Sequence, residues 1–169
     1  MIALEFAIDK NVSKKENSNL INKIMASINP YLIFNGNCEE AFLFYQSVFG
    51  GEFPYIGRFN DMPPAEGNPI LSEEDGNRIM HVTLPISDGY VLMGSDSNSA
   101  SGEVAFGANV SLSINAKSKE EADKLFNGLS AGGSVTMPMN QTFWGAYFGM
   151  FADKFGIHWM VNFDENENN

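Results

Sequence analysis

The triplet Glu39-Glu40-Ala41 returns as Glu120-Glu121-Ala122, an offset of 81 residues. A repeat constrains a fold more than any single motif, because each copy must form the same supersecondary unit. Each triplet opens an amphipathic pattern. Ala41, Phe42, Tyr45, Val48 and Phe49 follow the first, and Ala122, Leu125, Phe126 and Leu129 follow the second. Both have helical spacing and one apolar face. The paired glutamates fall in the first turn, where the helix dipole favours negative charge. Each pattern stops at a glycine pair, Gly50-Gly51 and Gly132-Gly133, read here as left-handed caps.

The flanks repeat as well. Strand candidates at residues 28–34, 52–59, 78–86 and 90–95 surround the first helix, and 109–115, 134–139, 146–152 and 157–163 the second. The turn Ser87-Asp88-Gly89 closes a hairpin in the first half, as Asp153-Lys154-Phe155-Gly156 does in the second. Each half therefore reads β-α-β-β-β, and the chain is α+β. The expected organisation is a mobile extension at 1–27, one paired-module domain at 28–165, and a solvated tail at 166–169. Within the domain, module one is 28–97, the linker 98–107 and module two 108–165. Residues 60–77, with Pro63-Pro64 and Pro69, read as a long irregular insertion of the kind that serves as a lid, a binding loop or a plain excursion.

Composition narrows the functional classes. The net charge of −11 is spread along the chain, and such a field repels phosphate backbones, so no nucleic-acid partner is expected. No apolar run approaches the ~20 residues of a membrane span, so no membrane partner is expected. Cys38 is the only cysteine, which excludes an intrachain disulfide and fits a reducing, cytoplasmic setting. Its place at a helix start allows a reactive thiol, but the simpler reading is a small start-of-helix residue. In residues 1–24 the lysines follow the apolar start, unlike a signal peptide. Met25 then stands as an alternative start.

Specific residues carry a family resemblance. The run Pro30-Tyr31-Leu32-Ile33-Phe34-Asn35-Gly36-Asn37-Cys38-Glu39-Glu40-Ala41, with Phe44-Tyr45 and Gly50-Gly51, resembles the opening of PhnB-like proteins. Thr142-Phe143-Trp144-Gly145 and the run from Asp153 to Asn162 resemble their closing motifs. That family lies in the glyoxalase/bleomycin-resistance/dioxygenase (vicinal oxygen chelate) superfamily. The resemblance implies two β-α-β-β-β modules forming curled mixed sheets around a cleft, commonly in homodimers. Some sequences of this type carry a demethylubiquinone methyltransferase label, but no glycine-rich nucleotide-binding turn is found here.

The resemblance also implies where a divalent metal would bind: on the first strand of each module and on the last strand. Counting fifteen residues back from Tyr45 and from Phe126 gives Pro30 and Ser111, and four residues beyond Gly156 gives Met160. None is a good ligand for a hard divalent ion. No cofactor is therefore expected, and a divalent metal is disfavoured. His81 is the best catalytic candidate, as a general base on the cleft face beside Thr83; the alternative is a satisfied strand histidine. His81, Asp96, Gln141, Trp144 and Tyr147 form the expected ligand-binding set, with aromatics to stack and polar groups to orient. His158 reads as packing or exposed. The favoured function is binding of a small organic molecule by a homodimer without the usual metal. The alternative is a metal-dependent lyase, isomerase or dioxygenase with a non-standard ligand set.

Overall fold

The computed structural model describes residues 28–63 and 71–164. The extension at 1–27, the alternative start at Met25, the tail at 166–169 and residues 64–70 of the insertion lie outside the described residues. Module one runs β1 (Tyr31–Phe34), α1 (Cys38–Phe49), β2 (Tyr55–Arg58), a single 3-10 turn (Phe59–Asp61), a short helix α2 (Glu73–Asn77), β3 (Ile79–Ser87) and β4 (Tyr90–Asp96). Module two runs β5 (Leu112–Asn115), α3 (Lys119–Leu129), β6 (Ser134–Gln141), β7 (Tyr147–Ala152) and β8 (His158–Phe163). The two four-stranded sheets have the same order, β1-β4-β3-β2 and β5-β8-β7-β6. In each, the first strand is parallel to the last and the other pairs are antiparallel. The repeat in sequence is thus a repeat in topology.

Several boundaries differ from the sequence reading. Strand 28–34 begins only at Tyr31, and strand 52–59 only at Tyr55. In both cases a proline, Pro30 or Pro54, stands just ahead and has no amide hydrogen for a ladder. Strand 109–115 begins at Leu112, leaving Val110 exposed. The described part of the insertion is less irregular than expected. Ser72 caps α2 by accepting from the Asp75 amide, and buried Asp75 accepts from both the amide and the hydroxyl of Ser99. The second glycine pair does not cap its helix. Helix α3 ends at Leu129 with Ser130 as its C-cap, and Gly132, at φ 77°, turns the chain beyond it. Gly50 does cap α1, with φ 81° and its amide bonded to the Gln46 carbonyl.

Each helix packs on one face of its own sheet. Phe34, Phe42, Tyr45, Val82, Leu84 and Leu92 form the core of module one, and Phe126, Leu129, Phe151, Trp159 and Val161 that of module two. Burying each such side chain stabilises by about 1.5–3 kcal/mol before entropy is counted. The helices come very close to the sheets. A Cβ at Gly94 would meet the Phe42 ring at 2.6 Å, and one at Gly149 would meet Phe126 at 2.7 Å.

The modules meet helix to helix, α1 against α3, and through the β7–β8 turn. Buried Asp153 in that turn accepts from Tyr45 of α1 at 2.8 Å and from the Trp159 indole at 2.9 Å. Phe155 packs among Phe34, Phe44 and Tyr45. The helices therefore lie to the inside, and the other face of each sheet is not covered by the second module. Among the described residues no helix is long and apolar enough to cross a membrane.

Candidate functional site

On β3 the alternation that buries Val82 and Leu84 turns His81 and Thr83 to the open face. Cross-strand pairing puts Tyr31, Met93, Thr83 and Tyr55 in one row there. His81 lies between two tyrosines. Its ring stacks on Tyr31 at 5.6 Å and tilts against Tyr55 at 5.8 Å. Its Nδ1 is 3.1 Å from the Tyr31 hydroxyl, and its Nε2 is 3.0 Å from Thr83 Oγ1. Gly57 pairs with His81 and leaves room for the Tyr55 ring, which a Cβ would strike. The result is a half-exposed aromatic patch with two phenols, an imidazole and a hydroxyl. It can stack on a planar or apolar group and give or take hydrogen bonds at its edge.

The open face of the second sheet is built differently. Met137 pairs with Met150, Met150 with Met160, and Met160 with Ser113, so three thioethers stand side by side across β6, β7 and β8. The next row holds Asn140, Phe148, Asn162 and Asn115. Trp144 leans over this face, 6.1 Å from Phe148, and packs edge-on with Phe143 at 4.8 Å.

The five ligand-binding candidates do not converge. His81 lies on the open face of the first sheet. Asp96 is buried and holds the backbone together. Its Oδ1 accepts from the amides of Gly36 and Cys38, and Oδ2 from that of Ile79, each at 2.9 Å. It thereby caps α1, whose N-cap residue Asn37 makes no side-chain cap. Only its edge reaches a polar hollow of about 280 Å³ lined by Glu39, Arg58, Glu74 and Arg78, where each arginine is already paired with a carboxylate. Gln141 and Tyr147 do come together, but on the helix side of their sheet. They line a hollow of about 220 Å³ with Lys119, Gly145 and Phe163, and the Tyr147 hydroxyl donates to Asp123 at 2.8 Å. That bond and partial burial raise the Tyr147 pKa. Trp144 alone of the three faces the open side, with Phe148. Cys38 is fully buried, and burial first, then Asp96 and Glu39, push its thiol far above the ordinary value, which favours the reading as a small start-of-helix residue. Tyr31, Tyr55 and Met93 complete the His81 patch and were missed in the sequence. Period-two alternation from His81 and the parallel first-to-last pairing would have found them.

Comparison with known proteins places this geometry. A family profile described as 3-demethylubiquinone-9 3-methyltransferase matches residues 26–162. A solved putative 3-demethylubiquinone-9 3-methyltransferase, PhnB protein, from Bacillus cereus is 27% identical with a TM-score of 0.64, covering 82% of this chain and 99% of its own. The chain belongs to this family, the PhnB-like proteins. YjdN of Escherichia coli (strain K12) is 34% identical over 140 residues, covering 80% of this chain and 93% of YjdN. The solved PA1353 from Pseudomonas aeruginosa is 44% identical with a TM-score of 0.70, covering 82% of this chain and 98% of its own. The fold is that of glyoxalase/bleomycin-resistance/dioxygenase domains, shared at 13% identity with a TM-score of 0.59.

Within this PhnB-like chain, two functions suggested by its relatives meet local obstacles. Nucleotide sites use free amides at a helix start, but between β1 and α1 the Gly36 and Cys38 amides are committed to Asp96. The residues at the superfamily's metal positions do not fit a divalent ion. Pro30 offers only a carbonyl, which accepts from the Met93 amide, and it shares the parity of buried Phe34, so the outward position is Tyr31. Ser111 precedes β5, and Met160 is a thioether. Hard divalent ions prefer carboxylate and imidazole donors. Among the described residues no three His, Cys, Asp or Glu side chains converge.

Proposed function

We propose that this PhnB-like protein binds a small organic molecule against the aromatic patch around His81, as a cytoplasmic homodimer, without the divalent metal of its metal-using relatives. The observation that carries the reading is the Tyr31–His81–Tyr55 stack on an open sheet face, set beside metal positions that hold Pro30, Ser111 and Met160. Aromatic faces with a few edge hydrogen bonders suit a planar or apolar ligand. The outward apolar faces support pairing with a second copy, and the buried, unpaired Cys38 supports a reducing compartment.

Native mass spectrometry of untagged protein purified from cells tests the reading. A carried organic mass that is present in the wild type and lost from His81→Ala is the expected result. Stoichiometric nickel, manganese, iron or zinc in the same preparation overturns it, as does an organic mass retained unchanged by His81→Ala.

A further inference from the structure

The open face of the second sheet is unusual in its donors. Its central row is Met137, Met150 and Met160, each directly paired with the next. The rows on either side hold Asn140, Phe148, Asn162 and Asn115, and Ser134, Ala152 and His158. No Asp, Glu, Lys or Arg stands in these rows. All three methionines are partly buried, as is Met139, which differs in packing against the core.

We infer that Met137, Met150 and Met160 form a binding site for one soft monovalent metal ion, copper(I) or silver(I), with His158 beside it on the same face. Thioethers suit copper(I) and disfavour magnesium and manganese, which need harder oxygen donors, while zinc takes its sulfur from charged thiolates. The spacing suits such a site. Adjacent strands lie about 4.8 Å apart, so the outer two methionines stand about 10 Å apart at the backbone. Both can lean inward over Met150, so that the three sulfur atoms converge on one ion. Methionine has the side-chain freedom to do so. His158 is two residues before Met160 and so has the same facing. An imidazole is a second donor type that copper accepts. The rows bring no ammonium or guanidinium to repel a cation, and the net charge of −11 attracts one. The inference concerns the second sheet and stands apart from the organic ligand proposed for the first.

Silver(I) is a redox-inert probe for this donor set. Titration of the full chain with silver nitrate in chloride-free buffer, followed by native mass spectrometry and by the 13C-methyl resonances of methionine, reads the site directly. One silver ion per chain is expected, with the Met137, Met150 and Met160 methyl signals moving together and that of Met93, on the other sheet, unmoved. Met150→Leu conserves volume and is expected to weaken binding by about ten-fold or more, with Met160→Leu as the second variant. Cys38→Ala is expected to bind as the wild type does. Binding that survives both methionine variants, or that disappears with Cys38→Ala, overturns the assignment. So does a titration in which those three methyl signals stay still.

Discussion

Asp153 is 4% exposed and accepts four hydrogen bonds, from the amides of Phe155 and Ile157, the Tyr45 hydroxyl and the Trp159 indole. A buried carboxylate is tolerable only when its lone pairs are filled, and here the filling ties α1 of one module to the turn of the other. Asp153→Ala leaves several donors unmet in the interior and is expected to cost about 3–5 kcal/mol in urea unfolding. Tyr45→Phe removes one bond and is expected to cost about 1 kcal/mol. A loss below about 1 kcal/mol in Asp153→Ala would contradict this account. The same residues set a pH limit. Burial first, and then Asp153, raise the Tyr45 pKa, while burial, then Asp96 and Glu39, raise that of Cys38. Folded, both stay neutral. Unfolded, they ionise near their ordinary values of 10.0 and 9.0. The unfolded chain therefore loses protons first as pH rises, so this stability is complete below pH 9.0 and declines above it. The slope is about 1.4 kcal/mol per pH unit for each group once its unfolded value is passed. Unfolding free energies measured across that range should fall, and Tyr45→Phe should flatten the upper part; a flat wild-type profile would contradict the burial of both groups. Little of this is legible in the sequence. Asp96 and Asp153 both stand in turn-like strings, and their work as buried acceptors exists only once a strand end and a helix start have been brought together.

At the scale of elements the sequence is far more informative. The helical period, the paired glutamates and the alternating strands each follow from local side-chain placement, so the β-α-β-β-β repeat and the helices can be read directly. What escapes is register. Strand β6 carries irregularities between Val135 and Met137 and between Met137 and Asn140, and these decide which residues face outward. Closeness in the chain groups Gln141, Trp144 and Tyr147, yet pairing sends Gln141 and Tyr147 to the helix side and Phe148 to the open side. A slip of one residue exchanges the faces. The count from Tyr45 gives Pro30 for the first metal position, one residue ahead of β1, and Tyr31 is the first outward residue of the strand itself. Glycine at the helix–sheet contact is an element-scale requirement that the repeat did not expose. Gly94 and Gly149 sit under Phe42 and Phe126, where a methyl group has no space. Gly94→Ala and Gly149→Ala are each expected to destabilise by about 1–3 kcal/mol through overpacking, whereas Gly89→Ala meets no neighbour and costs only its turn strain at φ 80°. Chemical denaturation of the three variants checks the order; equal losses at Gly94 and Gly89 would remove the close-packing argument.

For the whole molecule, the arrangement of the modules decides what a site can be. The helices pack together on the inside and both sheets present their other faces outward, so one chain alone does not close a cleft between its two sheets. No pattern within the sequence could reveal this, because the docking of module two on α1 depends on residues such as Tyr45 and Asp153 that are 108 apart. The outward faces are apolar to an extent that calls for cover. Tyr31 is 44% exposed, Ile33 43%, Tyr55 47% and Trp144 55%, and contiguous apolar patches on soluble chains mark interaction surfaces. A second copy is the partner that the symmetry of two like sheets favours. Light scattering is then expected to give a mass near twice the 18.6 kDa of one chain. Ile33→Glu places a charge in the patch without touching the buried core. It is expected to shift the protein toward single chains while leaving the unfolding midpoint of a dilute, already dissociated sample unchanged. A wild type of single-chain mass removes the homodimer from the proposed function. An Ile33→Glu variant that stays fully paired moves the interface away from the first sheet, and the His81 patch would then have to hold its ligand without a partner's cover.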